Sequence, residues 1–180
     1  MSLVRRGAIS DGVVTGPTEW TFDFPAPGIT DQVDGSAIYI LGTKFSVSEA
    51  CTCTGIEWFS ALTAPSDDME FTLWNADLES VLETKVHTVH PVDDVGIELQ
   101  VMFDAPEVLA PGTNYMATYR TIDSAPTRYT ATSLYVWPQT DGPLIADASN
   151  GWYVAWHELV YPNNVSAFAN NYHVGPIVEV

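Results

Sequence analysis

The sequence predicts an all-β protein: a Greek-key or jelly-roll-like β-sandwich of about 9–10 strands with an extended N-terminal arm. Three observations carry the prediction. Short runs alternate apolar and polar residues, and no long segment shows the helical period. Glycine and proline, 12 of each, recur as breakers between those runs, the rhythm of short strands and turns. Finally, Leu109-Ala-Pro111-Gly112-Thr-Asn-Tyr115 follows the alternating run Gly96–Phe103. A Leu-x-Pro-Gly turn followed by Tyr marks a crossing between the sheets of a sandwich. The ring enters the core and its hydroxyl bonds back to upstream backbone, the tyrosine-corner arrangement. Leu109, Pro111, Gly112 and Tyr115 therefore read as structural residues.

The elements follow in order. Residues 1–35 stand apart, interrupted by Gly12, Gly16, Pro17, Pro25, Pro27, Gly28 and Gly35, with only Glu19–Phe24 alternating. They read as an arm for assembly or docking that adds one edge strand, or alternatively as an irregular N-terminal loop packed on its own domain. Residues 36–180 read as a single sandwich domain, a length at which all-β domains commonly stay undivided. Ile38–Val47 alternates, with Tyr39, Leu41, Phe45 and Val47 on one face. Cys51–Phe59 comes next, then Met69–Trp74 with Met69, Phe71 and Leu73 sharing a face. Asn75-Ala-Asp-Leu78 is a tight turn whose Asn and Asp tolerate a left-handed backbone. Val81–Thr88 follows. Beyond Asp93-Asp94-Val-Gly96, Ile97, Leu99, Val101 and Phe103 are expected inward and Glu98, Gln100 and Met102 outward. Tyr115–Arg120, Tyr129–Trp137, Gly151–Glu158 and Tyr172–Val180 complete the set. A chain of this size buries roughly 70% of its unfolded surface, so neither metal nor disulfide is needed for folding.

The charge balance excludes whole classes of partner. Acidic residues number 23 against 6 basic, a net charge of -17. Arg5 and Arg6 lie near the N-terminus, leaving Lys44, Lys85, Arg120 and Arg128 for the rest. Nucleic-acid binding requires clustered Lys and Arg to displace counterions, so none is expected. Anionic membrane surfaces are disfavoured on the same ground, and no apolar run is long enough for membrane insertion. Met1-Ser-Leu-Val-Arg-Arg-Gly7 lacks the apolar core of a secretory signal, so synthesis in the cytoplasm is expected. Cys51 and Cys53 share a face of their strand about 7 Å apart, too far for an unstrained disulfide. They read as small buried side chains.

Candidate sites are few. His87 and His90 are three apart, a poor metal pair on a strand, and His157-Glu158 has no nucleophile motif beside it. Asp67, Asp68 and Glu70, like Asp93-Asp94, are placed in loops, where sandwich domains hold Ca²⁺ through carboxylates; these are the calcium candidates. No other cofactor is expected. Six tryptophans suit core and interface, but flat aromatic faces also stack on pyranose rings. Trp152 and Trp156, four apart on one strand face, are the candidate glycan platform, with Trp74 and Trp137 as further members.

The runs Tyr39-Ile-Leu-Gly-Thr-Lys-Phe-Ser-Val-Ser48, Cys53-Thr-Gly-Ile-Glu-Trp-Phe59 and Phe71-Thr-Leu-Trp-Asn75 resemble an uncharacterised β-sandwich domain family. That domain occurs in large bacterial surface and carbohydrate-active proteins and alone in tailed-phage particles. Phe103–Tyr119 is similar to the family's Leu-x-Pro/Ala-Gly-Thr-x-Tyr segment, and Asn170-Asn-Tyr-His-Val174 to its closing strand. The resemblance spans residues 37–121, loosely 122–168, and leaves out 1–35. It implies a sandwich and carries no agreed catalytic residues. A single copy behind an unrelated arm is similar to the phage-particle members. The expectation is therefore a non-enzymatic virion component, a minor tail, baseplate or capsid-decoration protein. It would contact other virion proteins and copies of itself as a homo-oligomer. The alternative is a carbohydrate-binding module or adhesin for host-surface glycans.

Overall fold

The computed structural model describes residues 9–10, 13–14, 17–22, 30–33, 38–59, 67–90, 97–122, 128–131, 138–146, 151–155, 158–165 and 172–180. Among them the strands are β1 (Ile9–Ser10), β2 (Val13–Val14), β3 (Glu19–Trp20), β4 (Thr30–Val33), β5 (Tyr39–Val47), β6 (Cys51–Phe59), β7 (Asp67–Asn75) and β8 (Ser80–Val89). The remainder are β9 (Glu98–Leu109), β10 (Asn114–Thr121), β11 (Arg128–Ala131), β12 (Gln139–Asp141), β13 (Leu144–Ala146), β14 (Trp152–Ala155), β15 (Asn164–Val165) and β16 (Val174–Glu179). No helix occurs among the described residues.

Two antiparallel sheets form the sandwich. The larger runs β12-β13-β5-β10-β7-β8, with β14 also pairing β5 and carrying β15. The smaller runs β3-β16-β6-β9. The chain crosses between sheets from β5 to β6, β6 to β7, β8 to β9 and β9 to β10, so successive strands supply opposite walls of one core. Alternation decides which side chains enter it. Leu41, Phe45 and Val47 enter from β5; Met69, Phe71 and Leu73 from β7; Tyr115, Ala117 and Tyr119 from β10. The smaller sheet answers with Cys51, Cys53, Ile56, Trp58, Val101, Phe103, Val174 and Val178. At the centre the Trp58 ring lies 5.3 Å from Tyr119 and 5.6 Å from Phe71. Such aromatic pairs contribute about 0.5–1.5 kcal/mol each beyond the area they bury.

Irregularities sit where the pattern breaks. On β6, Cys53 pairs with Glu107 but Gly55 with Met102, so β9 residues 103–106 oppose Thr54 alone. Pro106, which has no amide hydrogen for a ladder, falls in that bulge. The arm joins the sandwich through β3, where Trp20 pairs with Val178 and Phe22 is buried in the main core. Trp20 also lies over Gly142 in the β12–β13 turn, a residue with φ 54.

Several local expectations change. Ile97 is 43% exposed rather than inward and lies just before β9, which begins at Glu98. The left-handed residue of the β7–β8 turn is Glu79 (φ 51), not Asn75 or Asp77; Asn75 instead accepts the amides of Asp77 and Leu78 at its side-chain oxygen. The described part of the expected strand Tyr129–Trp137 lies in β11, which pairs with β4; residues 132–137 lie outside the described set. The hairpin β12–β13 was not expected.

Candidate functional site

The corner at 109–115 is the best-defined junction in the fold. Leu109 ends β9 fully buried, Gly112 turns the chain at φ 81, and Tyr115 enters the core 5.8 Å from the Phe45 ring. The Ala110 amide donates to the Tyr115 hydroxyl at 2.8 Å, and that hydroxyl in turn lies 3.5 Å from the Ala110 carbonyl. The corner carries the chain from the smaller sheet to the larger. Its chemistry is structural.

The richest assembly of polar and aromatic groups lies on the outer face of the larger sheet. Trp74 and Met116 alternate with core residues of β7 and β10, so they point away from the core, yet both are buried. They form a second small cluster with Ala76, packed by half-buried Trp152, Leu159 and Tyr161. Trp74 donates its indole N–H to Thr118 Oγ1 at 2.9 Å, and Tyr161 meets its ring edge-on at 5.7 Å. The Lys44 ammonium stands 5.4 Å above the Trp152 ring, a cation–π contact.

At the rim of this cluster Asp77 is exposed and accepts two hydrogen bonds from Asn114, from the side-chain amide at 2.8 Å and the backbone amide at 2.9 Å. Those bonds hold its carboxyl below the usual range. Burial, then the charges of Glu79 and Asp77, push the Tyr161 hydroxyl up to about 12, so it stays protonated. Lys44, Asp77, Asn114 and Tyr161 escaped sequence reasoning. They converge only through strand register, and the one signal available was the scarcity of bases, of which Lys44 is one.

The predicted residues fare differently. Trp152 is the described half of the proposed platform, and the face it offers is shared with Lys44. Its indole nitrogen is buried without an acceptor. Trp156, Trp137, His157, Asp93 and Asp94 lie outside the described residues. Asp67, Asp68 and Glu70 are not in a loop: they belong to β7, where Asp68 and Glu70 alternate with Met69 and Phe71, so these two acids mark an outward strand face. Asp67 is described in its backbone alone. Asp68 accepts from the Thr88 hydroxyl. Glu70 is engaged by Arg120 through both oxygens, at 2.9 and 3.4 Å. Among the described residues no group of three His, Cys, Asp or Glu side chains converges on a metal position. Cys51 and Cys53 are free and buried. Burial, helped by Glu49, raises the Cys51 thiol to about 11; burial raises Cys53 to about 12. Neither is a nucleophile at neutral pH. His87 stands half-buried on β8 and His90 just beyond its end.

Exposed apolar side chains also occur on β8 and β9: Val81 and Val86 on the outer face of the larger sheet, Met102 and Val108 (75% exposed) on the outer face of the smaller, with Leu78 (73%) in the turn leading into β8. These two strands end their respective sheets and are joined by the Lys85–Asp104 ion pair.

The model of one protein family, a domain of unknown function (DUF4082), matches residues 25–174. No curated protein matches the chain.

Proposed function

The chain belongs to the DUF4082 family, and we propose that it is a non-enzymatic structural component of a tailed-virus particle. It would serve as a minor tail, baseplate or capsid-decoration protein and act through protein–protein contacts. One observation supports this reading: five large apolar side chains on β8, on β9 or in the turn before β8 (Leu78, Val81, Val86, Met102 and Val108) stand exposed on the outer faces and rim of the sandwich. Apolar side chains exposed on both faces suit a module covered by neighbouring proteins on more than one side. The described aromatic and thiol groups, by contrast, are largely engaged in packing. A strongly acidic surface keeps such a module soluble until it meets its partner. The resemblance to phage-particle domains supplies the setting. Mass spectrometry of purified particles from the producing host is expected to find this chain at a fixed ratio to the major structural proteins. Particles that are complete and infective without it overturn the proposal.

A second reading, a carbohydrate-binding module, draws on the part-exposed Trp152 beside Tyr161 and the Asp77–Asn114 pair. It requires glycan-array binding that Trp152→Ala abolishes. Binding that is absent, or unchanged by the substitution, removes it.

A further inference from the structure

The bulge in β9 does more than absorb Pro106. Because residues 103–106 oppose Thr54 alone, Met102 stands across from Gly55 and Val108 across from Thr52. Those partners are three positions apart on β6, so Met102 and Val108 lie about 10 Å apart along the sheet despite the longer chain between them. Both point to the outer face of the smaller sheet, and both are exposed, Met102 at 46% and Val108 at 75%. Asp104, Ala105 and Pro106 between them are exposed as well. Gly55 lets the methionine lie across the sheet: the Met102 sulfur is 3.2 Å from the place a methyl would occupy there. The bulge thereby gathers Met102, Ala105, Pro106 and Val108 into one apolar patch, the re-aiming of side chains for which bulges are kept. Its rim is acidic. Asp104 and Glu107 belong to the bulged segment, and Glu179 of β16 pairs with Thr52, so one row across the outer face reads Val108, Thr52, Glu179. The four strands of this sheet hold neither Lys nor Arg, and Lys85, which reaches Asp104 from the larger sheet, is paired with it.

We propose that this patch docks a different, basic protein, whose matching surface has an apolar centre and a rim of Lys and Arg. The proposal rests on the assembly reading above and adds the face and the partner's chemistry. An apolar centre within a polar rim is the anatomy of a protein–protein interface, and methionine is enriched at such centres. Charge then selects the partner. Opposite charges across an interface steer association and fix register, whereas like charges set face to face oppose it. A second copy would bring the same acids on a chain of net charge -17, and nucleic acid or an anionic membrane would bring phosphate. A basic protein surface supplies both the apolar centre and the opposite charge.

Two labelled dodecapeptides of equal charge, one alternating Lys and Val and one alternating Lys and Ser, probe the full chain by fluorescence anisotropy at low ionic strength. Wild type is expected to bind the Lys-Val peptide about tenfold more tightly, the factor that burying one valine side chain supplies. Amide shifts in the NMR spectrum are expected to centre on residues 102–108. The variant M102T/V108T changes two exposed positions to a good strand former. It is expected to lose the tenfold preference and to keep its affinity for the Lys-Ser peptide. Glu107→Gln with Glu179→Gln is expected to weaken both peptides about threefold. Glu158→Gln, beside the Leu159 that packs on the outer face of the other sheet, is expected to change neither. Equal affinity for the two peptides overturns the proposal, as do shifts centred elsewhere or a preference that survives M102T/V108T. Self-association of wild type that M102T/V108T abolishes also overturns it, because the patch then serves a second copy. Particles that take up M102T/V108T at the wild-type ratio sink this contact and leave the virion role standing; the peptide preference with no chain in purified particles does the reverse.

Discussion

His173 combines two features that each carry a cost. Its backbone is left-handed (φ 50), where only glycine and, less so, Asn sit easily, and its imidazole is 1% exposed. The carbonyl of the same residue accepts the Phe59 amide at 2.9 Å, and the ring lies 6.0 Å from the Phe59 ring, so the bend is fixed by the first residues of β16 meeting the end of β6. Burial lowers the imidazole pKa from 6.5 to about 4. Between those values the unfolded chain binds a proton that the folded one refuses. Stability from this group is therefore complete above pH 6.5, falls as pH drops, and is gone below about 4. The whole effect is worth up to about 3 kcal/mol. His173→Asn keeps tolerance of the left-handed backbone and removes the titration. Urea midpoints from pH 7 to 4 are expected to fall less steeply in the variant than in wild type. Parallel curves for the two proteins would mean that another group sets the acid sensitivity.

At the scale of elements, two glycine turns differ in what they hold. Gly112 sits at φ 81 in the corner with nothing within 4 Å of the place a methyl would occupy. Gly142 sits at φ 54, and a methyl there would come within 2.2 Å of the Trp20 ring. Gly112→Ala is expected to cost roughly 1 kcal/mol, the left-handed penalty alone. Gly142→Ala should cost about 2–4 kcal/mol, because the β12–β13 hairpin must also lift off β3. Tryptophan fluorescence is expected to shift in the second variant only. Equal urea midpoints would show that Trp20 yields freely. The same hairpin marks the limit of what the chain's pattern discloses. β5, β7 and β10 each alternate over eight or nine residues, long enough to read, and the corner announces itself through Pro111, Gly112 and Tyr115. Three-residue strands such as β12 and β13 carry no period at all. Acids misled at Asp67–Glu70, since charge suggests a loop while Met69 and Phe71 show a strand with one wet face. The Lys44, Asp77, Asn114 and Tyr161 cluster was invisible because it depends on which residues stand opposite each other across β5, β10 and the turn after β7.

Over the whole molecule the charge is unevenly spread. The strands of the smaller sheet hold Glu19, Glu57, Glu98, Asp104, Glu107 and Glu179 and neither Lys nor Arg, whereas Lys44, Lys85 and Arg120 all belong to the larger sheet. Gln100 spans two of those acids, donating to Glu19 and Glu57 at 3.3 Å each, which relieves repulsion without supplying a counter-charge. Among the described residues two ion pairs oppose the general excess, Lys85–Asp104 and the better-shielded Arg120–Glu70. Screening weakens both kinds of interaction, and the imbalance of -17 decides which loss is larger. Self-repulsion should dominate, so raising NaCl from 0.05 to 0.3 M, as the Debye length shrinks from about 14 to about 6 Å, is expected to raise the thermal midpoint by several degrees. Removing acids should do the same work as salt. Glu98→Gln with Glu107→Gln is expected to raise the midpoint at 0.05 M and to lose most of that advantage at 0.3 M, because charge that is already screened has little left to relieve. A midpoint that falls with salt would place the two ion pairs above the net charge in importance.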